Sequence, residues 1–201
     1  MTMFPPPFYA MRHGETSWNA KGFFQGHSDI PLSAEGVRQV EENGRRFKRH
    51  LEKTGINPPD IRMISSPLSR AVHSSRIMCA ELGLPEDRLI IDPRLKEASF
   101  GHWEGLTTFE VKERFRQERR LRKEDRWNFT PPGGQSYADI SAAMTDFLTA
   151  MNGDPSLIVT HTGNIRIALR ELHGFDRETA MAAQIPQDRL LYWDGKVAGW
   201  I

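Results

Sequence analysis

Four polar positions follow four short apolar runs in this chain. Arg12-His13 comes after 8–11, Arg70 after 61–64, Glu97 after 89–91 and His161 after 157–159. The chemistry these side chains suit is phosphoryl transfer. A phosphate monoester carries close to two negative charges, and two guanidiniums can fork onto its oxygens; Arg12 and Arg70 are the candidates. The segment His161-Thr162-Gly163-Asn164 leads into a helical pattern whose free N–H groups would point back at the same anion. A histidine with one bare ring nitrogen can attack phosphorus. Two nearby arginines disfavour imidazolium, so they would keep His13 neutral in the empty site. Glu97 is then the natural general acid: protonated, it gives a proton to the departing alkoxide, and ionised, it activates the water that follows. Each group alone is more often structural than catalytic. Their common place at one edge of one sheet is what singles them out.

The elements that must position these groups are legible as alternating patterns. The four apolar runs, rich in β-branched residues and bounded by Gly and Pro, read as buried strands. A last pair, Leu190-Leu191-Tyr192-Trp193 and Val197-Ala198-Gly199-Trp200 around Asp194-Gly195, reads as a hairpin. Between them, Val37, Val40, Phe47 and Leu51 step at helical spacing behind a Ser33 cap, with Glu35 in the first turn. Ala71, Ser75, Met78 and Leu82 form a second stripe closed by Gly83. Tyr137, Ile140, Met144, Phe147 and Met151 form a third, opened by Ser136 with Asp139 three residues on, an acidic capping box. Ile165, Ala168, Leu169 and Leu172 form a fourth, stopping at Gly174. Strand–helix alternation implies an α/β layered domain with a largely parallel sheet.

Composition bounds the function. At 201 residues with 38% apolar and 26% charged side chains, the chain reads as one soluble domain, 1–201, and not as a disordered or collagen-like polymer. Its 27 basic residues offset 26 acidic ones, which removes a global electrostatic case for nucleic acid or anionic membrane partners. A single cysteine, Cys79, forbids an internal disulfide and a four-thiolate zinc site, and reads as a small buried apolar residue. No apolar run approaches a membrane span, and the N-terminal residues show no secretory pattern, so the expectation is a cytoplasmic, reduced protein. Positive charge concentrates in 112–126, with eight basic against four acidic residues. That stretch is either a solvated helix of i,i+4 pairs or a basic flap that attracts an anionic substrate.

The string Arg12-His13-Gly14-Glu15-Thr16, with Trp18-Asn19 after it, resembles the signature of the histidine phosphatase superfamily, the branch that includes phosphoglycerate mutases. The likeness continues through 25–29, 31–33, Ser65-Ser66-Pro67-Leu68-Ser69-Arg70-Ala71, 95–105, 132–136 and 159–163, in the family's order across most of the chain. The resemblance implies that His13 accepts the phosphoryl group. Arg12, Arg70 and His161 form the phosphate pocket around it, Glu97 is the proton donor, and Asn19 adds a hydrogen bond. It further implies a three-layer α/β/α sandwich with a mostly parallel mixed sheet, no metal and no cofactor, and a segment, 104–132 here, that covers the pocket.

Departures from the family pattern bear on the substrate. Thr162 stands where a small Gly is common, and its hydroxyl either lines the pocket as a substrate contact or caps the helix. Gln135 stands where Glu is frequent, and His27 and His102 sit in motif-adjacent loops as structural or substrate-adjacent groups. Phe23, Phe24, Trp103 and Trp127 could border the pocket or be buried packing. The leading reading is a metal-independent hydrolase of a small phosphorylated metabolite working through phosphohistidine. The alternatives are a mutase that passes the phosphate to a second hydroxyl, disfavoured because such mutases tend to be longer, and a phospho-ligand binding module with weak catalysis.

Overall fold

The computed structural model describes residues 5–201; residues 1–4, part of the stretch inspected for a leader, lie outside the described residues. In β1 (Phe8–Arg12), Phe8 and Ala10 face one apolar cluster while Tyr9 and Met11 face the other. That two-residue period, apolar on both sides, belongs to a strand covered on both faces. A short helix α1 (Ser17–Lys21) follows, nucleated by a capping box between Thr16 and Asn19. Ser33 accepts the Gly36 N–H and starts α2 (Ala34–Thr54), whose Val40, Phe47 and Leu51 are fully buried. Next come β2 (Arg62–Ser65), α3 (Ser69–Leu82) and the two-residue β3 (Ile90–Ile91). The basic stretch then forms α4 (Thr108–Arg114) and α5 (Arg116–Glu124). Ser136 and Asp139 make the expected capping box of α6 (Tyr137–Thr149), an arrangement that contributes about 1 kcal/mol. The chain closes with β4 (Ser156–Thr160), α7 (Thr162–His173), α8 (Arg177–Ala182) and the hairpin β5 (Leu190–Trp193) and β6 (Ala198–Trp200). Gly83 and Gly174 end α3 and α7 in left-handed conformations at φ +69° and +63°.

The six strands form one mixed sheet in the order β3-β2-β4-β1-β5-β6, with β1 to β4 parallel and the hairpin antiparallel. α2 and α3 cover one face over Met11, Met63, Leu157 and Val159. α6, α7 and α8 cover the other over Phe8, Ala10, Ile64, Ile158, Leu191 and Trp193. The molecule is therefore an α/β/α sandwich with a mostly parallel mixed sheet: the layered α/β arrangement is what the alternation implied, and the three layers and mixed sheet are what the family resemblance implied. Cys79 is buried in the α2–α3 layer, free of any disulfide. No described helix is long and apolar enough to cross a membrane.

Two local expectations need correction. Leu89-Ile90-Ile91 does not make a buried strand: β3 is the sheet edge, and Ile90 and Ile91 are 43% and 45% exposed. A run of Ile records only that apolar side chains are present, and an edge strand has one partner to cover them instead of two. Met151 lies beyond α6, which stops at Thr149, and packs against the core from the following loop.

Candidate active site

β1 and β4 are neighbours in register, with Arg12 opposite Thr160, so the residues that follow them emerge side by side. His13 N–H donates to the Thr160 carbonyl at 3.0 Å, and the His13 and His161 rings lie 5.1 Å apart between centroids. β2 flanks β4 on its other side, and the Ser66 N–H donates to the Val159 carbonyl at 2.9 Å. The chain then turns into α3, which carries Arg70 in its first turn. Glu97 arrives after a turn of 3-10 helix at Pro93–Leu95. Asn164 of α7 donates to the Leu95 and Lys96 carbonyls at 2.7 and 3.1 Å, and the Glu97 carbonyl lies 2.7 Å from His27 Nε2. Asn164 and His27 thus hold the backbone of the glutamate from two sides.

The hydrogen bonds fix which nitrogen of each imidazole is available. His13 Nδ1 lies 2.8 Å from the Gly14 carbonyl, which can only accept, so Nδ1 carries the proton and Nε2 carries the lone pair. That lone pair receives the Arg70 Nε–H at 3.3 Å. The other Arg70 nitrogens donate to the Ser28 and Gly26 carbonyls at 3.0 and 2.7 Å, so a loop orients the guanidinium. His161 Nε2 lies 2.7 Å from Ser66 Oγ, which also accepts the Leu68 N–H. The buried Ser66 proton has no other acceptor in reach among the described residues, so it goes to Nε2 and leaves His161 Nδ1 as an N–H. Nδ1 is buried and has no protein partner.

Electrostatics keep both rings neutral. Burial pushes the His13 pKa well below that of a free imidazole; Arg70 and then Arg12 push it further, against the opposing pull of the Gly14 carbonyl. His161 is lowered by the same burial, then by Arg70, His13 and Arg12. Burial also lowers Arg12 and Arg70, while the nearby Glu97 acts against it. Glu97 is 8% exposed, and its two oxygens accept the Ala98 and Gly163 N–H groups at 3.0 and 3.1 Å.

These groups meet at one cavity of about 200 Å³, bordered by Arg12, His13, Asn19, Arg70, Glu97 and Thr162. His161 lies behind that wall, 1% exposed. Asn19 Oδ1 accepts from the Thr16 N–H and from Gln187 Nε2, which leaves its amide protons as donors. Thr162 is the first residue of α7 and not its cap; the N-cap is His161, with no side-chain cap hydrogen bond. Of the free N–H groups expected at that helix start, the one on Gly163 is already bound to Glu97. Phe23 and Phe24 border the cavity, whereas Trp103 and Trp127 are buried packing.

The basic stretch divides between the two readings. Arg116 pairs with Glu113 and Arg120 with Glu124 on the exposed face, while Arg122 and Arg126 turn into the cavity. Arg119 and Arg120, in the middle of the same stretch, do not border it. Sequence reasoning reached Arg122 and Arg126 only as members of the basic stretch, and missed Arg166 and Tyr137 in the wall and also Gln187, which donates to the His13 carbonyl at 3.1 Å. Arg166 had a signal: it sits one helical turn past Thr162, on the same face of α7. Gln187, in the loop before β5, had none.

A second hub lies in the loops. Glu104 accepts from the His27 and Ser28 N–H groups, the Ser28 and Ser99 hydroxyls and the Phe100 N–H at 2.7–3.0 Å. Burial alone would raise its carboxyl, but these donors outweigh it and hold the group below the ordinary carboxylate range. Gln135 replaces an acid without loss of contact, since its side-chain oxygen accepts the Ser99 N–H at 3.2 Å.

Comparison with known proteins follows the same lines. The profile of the histidine phosphatase superfamily (branch 1) matches residues 8–192. A 2,3-bisphosphoglycerate-dependent phosphoglycerate mutase from Beijerinckia indica is 24% identical over 181 residues, 87% of this chain and 84% of the mutase. Among solved structures, the alpha-ribazole phosphatase of Shigella flexneri superposes with a TM-score of 0.77 at 24% identity, covering 92% of this chain and 89% of its own. A mycobacterial glucosyl-3-phosphoglycerate phosphatase, solved with VO3, gives 0.75 at 24% identity, covering 93% and 92%. At these identities the structures share the fold.

Proposed function

The chain belongs to the histidine phosphatase superfamily, branch 1, and on that premise we propose that it is a metal-independent phosphatase acting on a small phosphate monoester through a phosphohistidine at His13. The observation that carries this reading is the bare Nε2 of a neutral, buried His13, set beside Arg12, Arg70 and Glu97 on one cavity. The Nε2 lone pair forms the P–N bond as the P–O ester bond breaks, in line. Arg70 releases that lone pair and, with Arg12, Asn19 and the Nδ1–H of His161, holds the phosphoryl oxygens. Protonated Glu97 gives its proton to the leaving oxygen. Water then loses a proton to Glu97 and attacks phosphorus, the P–N bond breaks, and inorganic phosphate leaves. Thr162 borders the rest of the substrate, and 104–132 acts as the covering segment through Arg122 and Arg126.

Phosphatases among the structural neighbours support hydrolysis as the second step. The mutase reading is favoured by the sequence relative instead, and length does not separate the two: 87% of this chain aligns with 84% of the mutase, so the pair are of similar size. The same residues would serve both, and water against a second hydroxyl is the only difference. Turnover of p-nitrophenyl phosphate and of a panel of phosphorylated metabolites, in wild type and His13→Ala, tests the enzyme. Full activity in His13→Ala ends the mechanism, and absence of activity in wild type favours a binding module. Incubation with 3-phosphoglycerate separates the remaining two, free phosphate marking the phosphatase and 2-phosphoglycerate the mutase.

A further inference from the structure

The loop that leads from α8 into β5 holds the phosphate pocket from behind. Alternate residues along it, 183, 185 and 187, each take a group of the site. The Ala183 carbonyl accepts the Arg166 Nε–H at 3.0 Å, and the Ile185 carbonyl accepts from Arg12 at 3.3 Å. Gln187 Nε2 lies 3.1 Å from the His13 carbonyl and 3.3 Å from Asn19 Oδ1. Both of these oxygens can only accept, and an amide nitrogen carries two N–H groups, so Gln187 donates to both. Gln187 is not among the residues that border the cavity. Whatever it contributes there passes through His13 and Asn19.

The loop is anchored on both faces of the sheet. Ile185 is buried in the layer of α6, α7 and α8, and Leu190 in the layer of α2 and α3. Between them, Asn43 of α2 donates to the Gln187 carbonyl at 2.8 Å. Asn43 is fully buried on a helix face whose other large members are Val40, Phe47 and Leu51. Its Oδ1 has no partner among the described residues. A buried amide with one unmatched oxygen costs free energy that a leucine would not, so packing does not account for it. The bond to the Gln187 backbone does.

His13 is thereby held at three points. Its N–H donates to the Thr160 carbonyl, its Nδ1 to the Gly14 carbonyl, and its own carbonyl accepts from Gln187. Asn19 Oδ1 accepts the Thr16 N–H within its own helix cap and the Gln187 N–H from far along the chain. The capping bond fixes how the Asn19 amide is turned; the Gln187 bond fixes where it stands relative to His13. That relation bears on rate, because attack needs phosphorus in line with Nε2, and a displacement of about 1 Å can cost on the order of a hundredfold.

We propose that Gln187 is a positioning residue of the site: its amide ties Asn19 to the His13 backbone, so that the phosphoryl oxygens held by one are set in register with the Nε2 of the other. The inference rests on the reading of His13 as nucleophile and of Asn19 as a phosphoryl ligand.

The test uses Gln187→Met, which keeps the length and removes the donors, and Gln187→Glu, which keeps the length and the polarity but leaves acceptors in their place. Calorimetric titration with inorganic phosphate should show affinity about three- to tenfold weaker than wild type in Gln187→Met and at least as weak in Gln187→Glu. With p-nitrophenyl phosphate, kcat should fall about tenfold or more, while the urea midpoint stays close to that of wild type. In the Asn19→Ala protein, adding Gln187→Met should change phosphate affinity by less than about twofold, since the group it positions is gone. A merely structural role would give equal factors with and without Asn19. Such equal factors, wild-type affinity and kcat in either Gln187 variant, or losses that track a fallen urea midpoint in both variants overturn the proposal. So does the absence of phosphate binding by wild type. Turnover by wild type reports on the phosphatase reading by itself: phosphate binding without turnover would remove that reading, and the binding cycle would still decide the role of Gln187.

Discussion

Acidification should destabilise the ligand-free protein through its two site histidines, and by an amount the structure allows to be worked out. His13 and His161 are 4% and 1% exposed, and burial followed by Arg70 holds both well below the imidazole value of the unfolded chain. Above the unfolded value, about 6.5, neither state binds a proton and the full stability is present. Below it the unfolded rings take up protons while the native rings stay neutral, so stability falls as pH falls. One unit below 6.5 this amounts to at most on the order of 1 kcal/mol per histidine, or about 2–3 kcal/mol for the pair. Urea unfolding of wild type and a His13→Asn/His161→Gln protein, at about pH 7.5 and about pH 5.5, isolates this contribution. Carboxylates and the remaining histidines, including the lowered His50, act equally in both proteins. Wild type should lose about 2–3 kcal/mol more than the variant over that interval. Parallel losses would refute the claim that the native site keeps its imidazoles neutral.

Three further outcomes follow from the geometry. Glu97→Gln should lower kcat on an alkyl phosphate by about 10²–10⁴-fold but much less on p-nitrophenyl phosphate, whose leaving group needs no proton; equal losses would remove Glu97 as the acid. Gly163→Ala would place a Cβ 2.3 Å from Glu97 Oε1 and 2.6 Å from Tyr137, so it should cost about 1–3 kcal/mol in urea unfolding and reduce kcat with it. A wild-type midpoint would contradict the packing. Glu104→Gln leaves donors of two loops unmatched, which should cost about 1–3 kcal/mol and raise KM by releasing the Gly26 and Ser28 carbonyls that orient Arg70. An unchanged KM would show that Arg70 is held without them.

The sequence made the scaffold legible where a local rule decides the outcome. Ser33 and Ser136 cap their helices, Gly83 and Gly174 end theirs, and the alternation of Phe8 to Met11 marks a doubly covered strand. The site was legible for the groups that follow strand ends, because the end of a parallel strand has a definite place. Which residues of the basic stretch face the cavity, and the place of Gln187, were not, since the approach of Arg122, Arg126 and Gln187 depends on how α5, its C-terminal loop and the loop before β5 pack, and no local pattern carries that. The same gap explains Ile90 and Ile91: strand character can be read from composition, but edge position is decided by the whole sheet. Asn19 was assigned to the phosphate, and the structure adds that it also closes the capping box of α1, which fixes its amide orientation.

The central claim is that phosphorus is transferred to His13 Nε2. Rapid alkaline quench of wild type turning over a radiolabelled phosphomonoester, followed by peptide mapping, tests it directly. The account predicts an acid-labile, base-stable label on the peptide containing His13, formed at the rate of alcohol release and absent from His13→Ala. Turnover at full rate without that label, or with the label on another residue, would contradict it.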